Sequence, residues 1–73
     1  NRENAEGVQV IAVFKGSAEA KAGIVRNDSI TSINGQKVTT PDELISLIRE
    51  NKGSDIDVGY MRNGKASETV ASI

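Results

Sequence analysis

Asn-Gly occurs twice in this chain of 73 residues, at Asn34-Gly35 and Asn63-Gly64, each time between short β-prone stretches. Asn and Gly both tolerate the positive φ angles that a tight two-residue turn between antiparallel strands demands. The first turn is expected to join a strand over Ile30 to Ile33 to a minimal strand around Gln36 to Val38. The second joins Ile56, Val58 and Tyr60, which alternate with Asp55, Asp57 and Gly59, to a last strand over Glu68 to Ile73. Ile30 and Ile33 stand three apart, so they face opposite sides of a regular strand unless a bulge intervenes, and in either case both need cover.

Two helical segments complete the pattern. Ser17 is placed to cap a helix of one to two turns over Ala18 to Ala22, ended by Gly23, and its small residues would let it sit close to a sheet. Thr40-Pro41-Asp42-Glu43 carries a Thr cap, Pro at the first helical position and Glu three residues after the cap. In that arrangement Thr and Glu satisfy the free backbone donors reciprocally, which predicts a helix from Pro41 to about Asn51. Its apolar face is Leu44, Ile45, Leu47 and Ile48, with Glu43, Ser46 and Glu50 in water. Ahead of all this, Gly7 to Phe14 is β-branched and nearly continuously apolar, as for a central strand buried on both faces. The sum is an α+β domain built on a small antiparallel sheet.

Composition narrows the function. At this size one domain buries only about 60% of the surface of its unfolded chain, so modest stability is expected. With no Cys and no His, the disulfide staple and the usual zinc, copper and haem ligand sets are missing, and no metal or other cofactor is expected. Nine basic against ten acidic residues and only two aromatics argue against nucleic acid. The longest apolar run, Val10 to Phe14, is far short of the ~20 residues that span a bilayer, so direct membrane insertion of this piece is not expected. The polar opening, residues 1–6, reads as a flexible N-terminal end at the cut edge of a longer protein, with the folded domain over residues 7–73.

Catalysis finds no credible set. The absence of His excludes the Ser-His-Asp and Cys-His arrangements. Ser17 and Lys21 are four apart on a helix, but Ser17 is better explained as its cap. Asp55 and Asp57 share one strand face and read as solvated positions. The helix face remains open at this point: all four apolar residues are core, or Ile45 and Ile48 at the edge of the stripe, beside Arg49, line a groove.

Taken together and in order, GVQVIAV, GSAEAKAGI, NDSITSINGQKV, TPDELISLI and VGYMRNGK resemble a bacterial PDZ domain of the kind attached to HtrA-like serine proteases, site-2 metalloproteases and a type II secretion component. The resemblance implies a small, partly open antiparallel β-barrel or sandwich capped by one short and one longer helix. It implies a non-catalytic module that recognises a hydrophobic peptide or protein C-terminus, or a neighbouring domain, on the periplasmic or extracytoplasmic side of a bacterial membrane, regulating or presenting substrate to an envelope protease. By analogy the peptide groove lies between the second helix and the strand that belongs ahead of Gly7, with Pro41, Ile45, Ile48 and Arg49 on its wall. The chain departs from the family pattern in two places. Asn27-Asp28 stands where Gly-Asp is usual, a change that Asn accommodates in the left-handed region. The glycine-containing carboxylate-binding loop and its strand belong before Gly7, where six polar residues stand. The alternative is therefore a structural or assembly element that binds no free peptide.

Overall fold

A computed structural model describes residues 7–73; the expectation of a flexible end over residues 1–6 lies outside them. The elements are β1 (Val8–Gln9), α1 (Ala18–Lys21), β2 (Ser29–Ile33), β3 (Gln36–Lys37), α2 (Pro41–Glu50), β4 (Asp55–Arg62) and β5 (Lys65–Ser72). All strand pairings are antiparallel, in the order β1-β2-β4-β5 with β3 paired to β2. This is the expected α+β fold, an open sheet with one short and one longer helix.

Both Asn-Gly pairs make the turns expected of them, with φ of 51° and 79° at Asn34 and Gly35 and 53° and 78° at Asn63 and Gly64. Two successive positive φ values mark the turn whose twist matches that of paired strands. The second turn closes β4 on β5 over eight residues each, from Asp55↔Ser72 to Arg62↔Lys65, so β5 starts three residues earlier than the sequence suggested. The pairing of β2 with β4 shifts register between Ile30 and Ser32. That irregularity turns Ile30 and Ile33 to the same interior, and both are buried. Gly59 lies opposite Ser32 at this point, where a Cβ would collide with the Ser32 hydroxyl.

The helix ends are set as their residues dictate. Ser17 Oγ accepts from the Ala20 amide, and Thr69 Oγ1 of β5 donates to the carbonyl of Ala22, 2.8 Å away, just past α1. At α2, Thr40 Oγ1 accepts from the Glu43 amide, and the Glu43 carboxylate accepts in return from the Thr40 amide. The core joins Ile24, Ile30, Ile33, Val38, Leu47, Ile56, Val58 and Ala71.

One expectation fails. Gly7 to Phe14 is not a central strand: only Val8–Gln9 is strand, at the end of the sheet, and Ile11 and Phe14 are 78% and 77% exposed. A run of apolar residues reports a need for cover on both sides, and among the described residues only one side is supplied, by β2 and the turn before it.

Candidate functional site

The uncovered side of that segment borders an apolar cleft of about 300 Å³. One wall is the chain from Val8 to Phe14, and the opposite wall is Leu44 and Ile48, one turn apart on α2. Its floor is the core itself: Ile30, Ile33, Ile56, Val58 and Ala71, with Ile73 at the end of the chain. Both ends of the sheet thus meet at one opening. Within the first wall, Phe14 O accepts from the Ser17 amide, whereas Ile11, Ala12 and Val13 have no hydrogen-bond partner for their backbone groups among the described residues. Backbone without a partner among the described residues, beside an apolar hollow, is the chemistry to which an extended segment adds, through main-chain bonds and side-chain insertion.

The four residues expected on the groove wall divide in this structure. Ile48 lines the cleft. Ile45 is half exposed, and Pro41 and Arg49 are exposed, on parts of α2 outside the cleft lining. Leu44, read from the sequence only as inward-facing, lines the cleft beside Ile48, and Leu47 goes to the core. The signal for the pair was present in their spacing of four. The opposite wall was hidden, because its residues were read as a paired strand.

The root of that wall is held by a buried charge that sequence reading did not connect. Asp28 is 1% exposed. Its carboxylate accepts from Arg62 Nε at 2.8 Å and Arg62 Nη2 at 2.8 Å, and from the Val25 amide at 2.9 Å. Arg62 Nη2 also donates to the Gly23 carbonyl, and the guanidinium stands 5.1 Å from the centre of the Tyr60 ring. The hydrogen bonds from Arg62 hold the Asp28 carboxyl below its usual value against the opposing effect of burial, and the same contact raises Arg62. Glu43 is likewise lowered, chiefly by the Thr39 amide and hydroxyl. Among the described residues no three acidic side chains converge as metal ligands would, and no helix is long and apolar enough to cross a membrane.

Comparison with known proteins agrees with the architecture. The PDZ domain family pattern matches residues 1–73. The periplasmic pH-dependent serine endoprotease DegQ of Escherichia coli is 36% identical over all of this chain, which covers 16% of DegQ. Zinc metalloprotease RasP of Oceanobacillus iheyensis is 38% identical over 66% of the chain and 11% of its own length. The chain therefore spans a minor part of these curated relatives. Among solved structures, the PDZ domain of an SdrC-like protein from Listeria monocytogenes superposes with a TM-score of 0.78 at 22% identity, covering 96% of this chain and 74% of that one. The HtrA-type protease AlgW, solved with a decapeptide, gives 0.82 at 23% identity over 94% of this chain and 22% of its own. PDZ domains are generally non-catalytic interaction modules, and this chain, matched along its whole length, belongs to the PDZ domain family.

Proposed function

We propose that this domain binds an extended apolar peptide or protein C-terminus along α2, on the side that faces the cleft opposite Val8–Phe14, and so regulates or presents substrate to an envelope protease whose chemistry lies in other domains. The observation that carries the reading is the cleft: an apolar hollow of about 300 Å³ floored by the core. Ile48 and Leu44 form its inner wall, and Pro41, Ile45 and Arg49 form the outer rim along which the ligand continues. The relationship to DegQ and RasP favours a protease as the parent, and the periplasmic relatives favour the extracytoplasmic side of a bacterial membrane. Main-chain pairing supplies generic attachment, and the hollow selects apolar side chains.

The test is a titration with a panel of short peptides ending in Val, Leu, Ile, Phe or Ala with a free carboxylate. The methyl signals of Leu44 and Ile48 are expected to move saturably. Unmoved signals at millimolar peptide overturn the proposal.

A further inference from the structure

We infer that Asn63, and not Asn34, is a site of spontaneous covalent modification in the folded chain, losing its side-chain amide by ring closure onto the Gly64 nitrogen at the tip of the β4–β5 hairpin. Both Asn-Gly pairs carry the same chemistry. The Gly amide nitrogen, once its proton has passed to base in the solvent, attacks Cγ of the preceding Asn. A C–N bond forms, the Cγ–Nδ2 bond breaks and ammonia leaves, which closes a five-membered succinimide. Water then opens the ring. Addition at Cγ leaves Asp in place of Asn, and addition at the backbone carbonyl carbon leaves isoaspartate, with the main chain rerouted through the side chain. Gly suits the attack because it has no side chain to hinder it. Asn34, Gly35, Asn63 and Gly64 are all exposed, with open space beside both glycines. Residue types therefore do not choose between the two sites.

The hydrogen bonds do choose. Ring closure needs the Asn–Gly peptide plane to swing out of the tight turn, so its rate follows how readily each turn opens and how easily the Asn side chain rotates. At Asn34 three bonds oppose both movements. Its amide donates to Asp57 O at 2.8 Å, its Oδ1 accepts from the Asp57 amide at 2.8 Å, and its Nδ2 donates to Asn51 Oδ1 at 3.4 Å. Asn51 is itself held at the end of α2, where its Nδ2 donates to Leu47 O at 2.7 Å. Past β3, the Val38 amide donates to Thr31 O and the Val38 side chain is fully buried. The first turn is thus stitched to β4 and α2. At Asn63 the side chain makes no hydrogen bond among the described residues, and the tip opens when the Arg62↔Lys65 pair alone parts. The Arg62 side chain is anchored to Asp28, which holds β4 and not the tip. Conversion places a carboxylate between Arg62 and Lys65. In the isoaspartyl form it also adds a methylene to the main chain, which a two-residue turn with successive positive φ does not absorb.

The test is incubation of the purified chain in warm, mildly alkaline buffer, beside a second sample kept unfolded in urea. Modification is followed site by site by proteolytic peptide mapping with mass spectrometry, with the aspartyl and isoaspartyl products separated by chromatography. In the folded chain Asn63 is expected to react at least about tenfold faster than Asn34, as when the second turn opens that much more often. In urea the two sites are expected to react at similar rates. Equal rates in the folded chain overturn the inference, as does an Asn63 that stays intact while the urea sample reacts. A preference for Asn63 that persists unchanged in urea also overturns it, because the cause is then the neighbouring sequence and not the bonds that hold Asn34. None of these outcomes depends on which ligand the domain binds.

Discussion

At the scale of single residues, neighbours on α2 differ in what they contribute to stability. Leu47 is 8% exposed within the core, whereas Ile45 is 50% exposed at the helix surface. Leu47→Ala is expected to cost about 2 to 5 kcal/mol by leaving a cavity, while Ile45→Ala costs well under about 1 kcal/mol. Urea unfolding of both variants checks this, and equal losses would place Ile45 in the core. Asp28 supplies a second residue-scale prediction. Its folded carboxyl titrates below the ordinary value of 3.8 because Arg62 stabilises the charged form. A group depressed in the folded state contributes stability that is full above its unfolded value and is lost as the pH falls through the folded one. The unfolding midpoint should therefore drop below about pH 4, and Asp28→Asn, which cannot titrate, should be less stable at pH 7 but lose less on acidification. Identical acid profiles for the two proteins would remove Asp28 from the explanation.

At the scale of elements, what could be read in advance was whatever is decided within a few residues. The capping box of α2 and the two Asn-Gly turns depend on neighbours in sequence, and all three form as their residues require. Thr40→Ala should remove one side of the box and destabilise the domain by about 1 kcal/mol, with the loss of helical order concentrated in the first turn of α2. Amide exchange at Glu43 and Leu44 measures it, and unchanged protection there would show that Pro41 and packing alone hold the helix start. What could not be read was decided at long range. The register shift that brings Ile30 and Ile33 inward needs β4 as its template, and a period-two reading of β2 by itself leaves the matter open. The run from Val10 to Phe14 has the composition of a buried strand, but pairing is a property of two segments, and composition describes only one. The Asp28–Arg62 pair joins a turn to a strand end 34 residues away, and two charges in sequence carry no sign of their partner. The proposed site combines both kinds: Ile48 was legible from helical spacing, whereas Leu44, read as packing inward, and the opposite wall were not.

For the whole molecule, the cleft and the core are one structure seen from two sides. Ile30, Ile33, Ile56, Val58 and Ala71 belong to the core and also floor the cleft. They come from β2, β4 and β5, so the proposed binding surface exists only when the sheet is assembled, and an unfolded chain offers a ligand nothing comparable. A chain of this length has a small stability margin, and a ligand that binds the folded form alone adds RT ln(1 + [L]/Kd) to it. Peptide at a hundred times its Kd should thus add about 2.7 kcal/mol, which for a domain of this size raises the Tm by roughly 10 to 20 °C. The shift should grow logarithmically with peptide concentration above Kd, and it should shrink for Ile48→Ala, whose side chain lines the cleft, more than for Ile45→Ala at the rim. Thermal melts followed by circular dichroism across a peptide titration give both comparisons. A Tm that does not move while the Leu44 and Ile48 methyl signals do would mean that the ligand binds folded and unfolded chains alike, and the cleft floored by the core would then not be its seat.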